Sequence, residues 1–232
     1  MRRRLLWLSA VYVAGCGFRS VFPMVDVPRI CLHDTWISRI VVGRLIATGA
    51  ELCFTAQWAL LLREAGPAGG GGLATSVARL LVPIIVVAEL CSWLAVLTTN
   101  YLLHAAENSL WTVAAVLVVA GFASVWPHVD GKSRRFVAAA IAGGASYIAF
   151  MTCVDVPMYL SRWQADLVAG HQYLSLGEGM AEVLERCTVT RAWAAWHEDV
   201  EWLSLYFTVA VWASIALVHV PPLRGARGQT GA

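Results

Sequence analysis

From Ile40 to Val154 the chain runs through one long apolar stretch after another, with only short polar turns between them. About 20 apolar residues let a helix cross a bilayer, and a medium without hydrogen-bonding solvent leaves helices as the natural way through. Six such stretches can be laid along the sequence, at residues 5–18, 40–62, 80–102, 110–126, 136–154 and 201–220. The expected fold is therefore all-α: a polytopic membrane protein, a bundle of about six transmembrane helices forming one domain over residues 1–220. Composition agrees. Of the 232 residues, 59% are hydrophobic and 14% are charged, against about 25% charged in an average soluble domain. Residues 221–232 open with Pro221 and Pro222 and read as a disordered cytoplasmic tail. Between the fifth and sixth stretches, Tyr159, Trp163 and Leu167 recur at helical spacing, as in short amphipathic helices on the exoplasmic side.

Orientation follows from the basic residues. With an inside start, the inner segments hold Arg2, Arg3, Arg4, Arg63, Arg79, Lys132, Arg134, Arg135, Arg224 and Arg227. The longer outer segments hold only Arg19, Arg29, Arg39, Arg162, Arg186 and Arg191. That is the positive-inside bias, so both termini are expected in the cytoplasm. High Ala, Arg and Val content suits a GC-rich genome and hence a bacterial inner membrane. A net charge of +2, with no basic patch interleaved by aromatics, speaks against nucleic-acid binding. Membrane lipids are the expected partners, with a homo-oligomer or a membrane complex open as the assembly. Val13-Ala14-Gly15-Cys16 has the pattern of a lipobox, and its ordinary reading is a small-residue helix end.

The polar residues concentrate outside. His33, His104, His171 and His197 lie there, as do nearly all the acids, in the runs VDVPRICLHDTW, NYLLHAAENSLW, VDVPMYLSRW and WHEDVEW. Val25-Asp26-Val27-Pro28 recurs as Val154-Asp155-Val156-Pro157, and each copy is expected to end its helix and present an Asp at the surface. His104 and Glu107, followed by Asn108, have the i, i+3 spacing of joint metal ligands on one helix face, expected here on an outward continuation of the third span. His197, Glu198, Asp199 and Glu201, or His33 and Asp34, would complete such a site, and a divalent metal ion is the cofactor it would take.

Glu51 and Glu89, each within Ala-Glu-Leu-Cys, fall near mid-membrane on antiparallel neighbours. Carboxylates there cost several kcal/mol unless paired, protonated or hydrated, roughly as for other intramembrane charges. Arg44, Thr48, Glu51 and Thr55 share one stripe of the second span; Glu89, Ser92, Thr99 or Asn100, and His104 form another on the third. Cys31 and Cys187 are expected outside and could pair, with Cys153 as rival. No GxGxxG, P-loop or GxSxG occurs, so nucleotide chemistry and a serine-hydrolase elbow have no support.

The clustering of His, Asp and Glu at exoplasmic helix ends is loosely similar to metal-dependent membrane hydrolases of the alkaline-ceramidase type. Their spaced histidines on the last helix are missing here, so no residue role carries over. The leading expectation is a metal-dependent membrane enzyme acting on a lipid-like substrate at the outer leaflet. Asp26, His33, Asp34 and Asp155 would be its acid–base groups and His104, Glu107 and His197 its metal ligands, with Arg29 or Arg162 holding an anionic head group. Glu51, Glu89 and Asn100 would join Arg29 and Arg162 in binding substrate; the alternatives are a proton-coupled transporter or channel using Glu51 and Glu89, and a non-catalytic subunit of a membrane complex.

Overall fold

The computed structural model describes residues 1–66, 72–185, 187–197 and 199–223. The glycine-rich linker at 67–71, Arg186, Glu198 and the tail from Arg224 lie outside these, as do the side chains of Glu201 and Trp202. The described residues are all-α but for one small sheet. Its long helices are α1 (Arg2–Val21), α2 (Ile40–Ala65), α3 (Gly72–Thr98), α4 (Tyr101–Val125) and α5 (Gly131–Phe150). A π turn at Met151–Asp155 continues α5 into α6 (Val156–Ala169). Then come α7 (Leu176–Glu185), the short α8 (Trp193–Trp196), and α9 (Val200–Leu205), which a second π turn at Tyr206–Ala210 joins to α10 (Val211–Val218).

Among the described residues, four helical stretches are long and apolar enough to cross a membrane: Ile40–Ala65, Gly72–Thr98, Tyr101–His128 and Gly131–Ala169. The helix α1 carries Arg2, Arg3, Arg4 and Arg19, and the apolar part of the last helix, Leu203–Val218, is shorter. Their faces are reversed relative to a water-soluble bundle. On α3, Val86, Val87, Leu90 and Leu94 point outward while Glu89 and Ser92 are buried. A surface built this way suits lipid.

Neighbours in sequence pack side by side from α1 through α5, and α10 returns to α1 and α2. One end is filled with apolar side chains, among them Leu5, Leu61, Leu62, Leu81, Ile85, Phe122 and Leu217, all 2% exposed or less. The polar residues gather toward the other end.

The turn between α3 and α4 departs from expectation. The apolar pattern puts the third span at 80–102 with a connection at 103–109, but α3 stops at Thr98 and α4 starts at Tyr101. Thr99 takes a left-handed φ of 59°, and the Asn100 side chain caps α4 by accepting a hydrogen bond from the Leu102 amide at 2.9 Å. His104 and Glu107 therefore stand on the first turns of α4, facing back over the bundle, and not on an extension of α3.

The two VDVP copies also fold differently. The first makes a hairpin turn: β1 (Met24–Val25) pairs antiparallel with β2 (Ile30–Cys31), with Asp26 in the turn and Arg29 at a left-handed φ of 54°. The second stays inside a continuous helix. The π turn at Met151–Asp155 offsets the hydrogen-bond pattern just where Pro157 lacks an amide to give, so the helix runs on.

A cap closes the polar end. The strand β3 (Thr188–Val189) pairs parallel with β2, and the Cys31–Cys187 disulfide ties the same two segments, with Cα atoms 5.9 Å apart. Cys187, not Cys153, is the partner, because β3 brings it beside β2. The Arg29 guanidinium donates to the Val96 carbonyl at 3.0 Å and pairs with Glu182 on α7. Gly179 lets α7 lie directly on the Leu97 carbonyl.

Ser175 and Glu178 form a capping box at the start of α7. The Glu178 carboxylate accepts from the Ser175 amide and hydroxyl at 2.9 and 2.7 Å, which holds its pKa below the ordinary carboxylate value. Ser175→Ala is expected to weaken α7 by about 1 kcal/mol, read as faster amide exchange over 176–185 with the rest of the chain unchanged.

A buried carboxylate cluster as candidate functional site

Arg44, one turn into α2, sits at the centre of the polar end with its side chain 7% exposed. Its guanidinium lies 2.7 Å from Glu89 on α3, 3.8 Å from Glu51 on its own helix, 3.6 Å from Glu107 on α4 and 3.6 Å from Asp26 in the hairpin turn. Arg19 on α1 adds a second cation 3.8 Å from Asp26 and anchors to the Met24 carbonyl at 3.2 Å. The Thr48 hydroxyl donates to Glu89 at 2.6 Å and in turn accepts from the Trp93 indole at 3.2 Å. Tyr206 donates to Glu51 at 3.4 Å from the π turn of the last helix.

A second layer lies beside Glu107. Its other oxygen is 2.7 Å from His104 Nδ1. One residue on, Asn108 donates to Asp155 at 2.5 Å, so the carboxylate that ends the π turn faces the same bundle end. The His104 ring lies 5.1 Å from that of Tyr159, and Arg162 stacks over both Tyr101 and Tyr159 while pairing with Asp199 at 3.4 Å. Both π turns among the described residues thus deliver a residue to this region, a recurrent use of such turns.

Charge is out of balance here. Asp26, Glu51, Glu89 and Glu107 surround two guanidiniums, and protonating His104 adds a third cation at most. With all four carboxyls ionised, at least one negative charge would be left over in an interior that solvates ions poorly. One oxygen of Glu89 is buried and accepts no hydrogen bond from the described residues. Glu51, Glu89 and Glu107 offer ligand atoms all within 4.8 Å of one another. Three carboxylate oxygens within that spacing could hold a hard divalent cation. Arg44 already approaches the same three carboxyls, so a metal there would share their charge with it or displace it.

The two groups expected from the sequence to serve different functions therefore meet. Glu51 and Glu89 share Arg44 with Glu107, the partner of His104, and with Asp26. Other expected residues stand apart. His33 and Asp34 lie in a separate surface pocket beside the disulfide. His197 is exposed and bonded to the Ala194 carbonyl. Arg29 holds the cap, and Asn100 caps α4. Arg162 lines a shallow cavity of about 230 Å³ with Pro28, Tyr101 and Asp199, adjacent to Tyr159 and so to His104. Arg19 and Tyr206 were not picked out as site residues; Arg19 lies at the end of an apolar stretch and Tyr206 inside one, where nothing in the local sequence marks them.

Comparison with protein-family models, with curated proteins and with solved structures gives no match, so the cluster's own geometry carries the functional reading.

Proposed function

We propose that the chain is a six-span protein of a bacterial inner membrane, both termini cytoplasmic, whose Arg44-centred cluster is an acid–base site reached from the capped, exoplasmic end. Here α1 and the α9–α10 helix complete the six spans. Arg2, Arg3, Arg4, Arg63, Arg79, Lys132, Arg134 and Arg135 all belong to the uncapped end, which supports this orientation. Trp36 and Trp193, both about two-thirds exposed, suit an interfacial belt around the cap.

The observation behind the reading is the surplus of carboxylates over guanidiniums in a buried cluster. Such a cluster takes up a proton or a cation, and releases it when a neighbour supplies another charge. The apolar packing around Leu5, Leu61 and Leu62 lies beyond Glu51 and favours traffic on one side only. One-sided access suits an enzyme handling an amphipathic, lipid-like molecule better than a carrier, which needs a second exit. In this reading Glu107 and His104 exchange the proton, Glu51 and Glu89 store it, and Arg44 fixes all three glutamates. Asp155 and Arg162 face the approach.

A pH titration by infrared difference spectroscopy, on protein in nanodiscs, tests this. A carboxyl band should titrate and should change in Glu51→Gln, Glu89→Gln or Glu107→Gln. A spectrum with no titrating carboxyl, or one indifferent to all three substitutions, sinks the reading. The ligand spacing of the three glutamates favours a second reading, a divalent cation in place of the proton. Stoichiometric Mn²⁺ binding, lost in Glu107→Gln, is its expected signature.

A further inference from the structure

The run Cys31-Leu32-His33-Asp34-Thr35-Trp36 plays no part in the carboxylate cluster, yet it builds a pocket of its own. The pocket encloses about 190 Å³, with His33, Asp34, Trp36 and Arg39 on its walls, and the Cys31–Cys187 disulfide forms part of its lining. The two sulfurs are unequally open. Cys31 is 1% exposed, whereas Cys187 is only partly buried, so a thiolate arriving through the pocket meets Cys187 Sγ first. Arg39 is the cation in a lining that also carries Asp34 and Glu185, and its guanidinium can pair with a thiolate that enters. Cys31 Sγ lies 3.5 Å from the His33 carbonyl oxygen, an acceptor in place for the thiol that reduction creates.

We propose that Cys31–Cys187 is an exchangeable bond whose reaction partner is a dithiol docking in the His33/Asp34/Arg39 pocket, and that its reduction loosens the cap over the carboxylate cluster. The exchange stands on the pocket alone; the loosening rests on the functional reading above. The steps balance. A thiol of the reductant loses its proton and attacks Cys187 Sγ; the S–S bond breaks, its electron pair leaves with Cys31 sulfur, and Cys31 takes up a proton. The second thiol of the reductant then attacks the reductant's own sulfur in the mixed disulfide, freeing Cys187 as a thiol. Two electrons and two hydrogens pass to the cysteines, and the dithiol ends as a disulfide.

What then holds β3 is slight. The Thr188 amide donates to the Arg29 carbonyl at 2.8 Å and the Thr190 amide to Cys31 at 3.0 Å. Strands of two residues are marginal without a covalent tie. The cap meets the bundle where α7 lies on Leu97, at the same end as Asp26 and Glu107.

The test uses the full chain in nanodiscs without denaturant, with dithiothreitol as the dithiol and alkylation mass spectrometry to count thiols. Wild type should be reduced, and His33→Ala and Arg39→Ala should slow the reaction several-fold, a difference that disappears once the chains are denatured. On reduction, labelling of Glu51, Glu89 or Glu107 by an apolar carbodiimide should rise several-fold. A bond that opens only after denaturation overturns the exchange, and unaltered rates in both variants overturn the docking pocket. Reduction with unchanged carbodiimide labelling overturns the loosening; the infrared band reports separately on the acid–base site.

Discussion

Arg44→Gln is expected to cost the fold about 3–5 kcal/mol, the usual penalty for removing one partner of a buried ion pair and leaving the other charged. Four carboxylates lean on this guanidinium, and glutamine offers the nearer ones a neutral donor in its place. The denaturant midpoint of the detergent-solubilised chain should fall accordingly. Adding Glu89→Gln should recover part of the loss, since Glu89 is the carboxylate closest to the vacated position at 2.7 Å. An Arg44→Gln chain that unfolds at the wild-type midpoint would show that the cluster does not depend on this cation.

Gly179→Ala should undock the cap. A methyl group at this position of α7 runs into the Leu97 carbonyl, which belongs to the α3 backbone and cannot rotate away. Overpacking against a fixed neighbour costs roughly 1–3 kcal/mol, enough to displace a ten-residue helix held by one buried valine, Val183, and the Arg29–Glu182 pair. Gly43 offers the contrast. A methyl there meets the thioether end of Met24, a flexible side chain, so Gly43→Ala should be milder. Limited proteolysis between residues 170 and 190 distinguishes them: rapid cleavage in Gly179→Ala, near wild-type resistance in Gly43→Ala. Equal resistance in both would mean that α7 is not seated on α3.

Much of this arrangement was legible beforehand, and the reasons differ by residue. Glu51 and Glu89 announce themselves because a carboxylate amid apolar neighbours has few reasons to be there, and matching depth on antiparallel helices points each at the other. His104 and Glu107 were legible as a pair because three residues is nearly one helical turn. A shared stripe already set His104 with Glu89; the seating of His104 and Glu107 on a separate helix was not legible, since it depends on where the α3–α4 turn falls. Thr99, a β-branched residue at positive φ, gives no warning of that break. The hairpin and β3 escaped for a different reason: strands of two residues are too short to show alternation. Cys31 and Cys187 were named together, but choosing between Cys187 and Cys153 required the pairing of β2 with β3.

The π turn at Met151–Asp155 acts as a setting for the distal half of its helix. One extra residue in a helical turn rotates everything beyond it by about 100°, so the side on which Tyr159 and Arg162 emerge is fixed by that single insertion. The membrane-crossing half upstream keeps its lipid-facing surface whichever way the later half is dialled. A lineage could therefore re-aim the aromatic–guanidinium approach to His104 by gaining or losing one residue there, with no change to the glutamates it leads to.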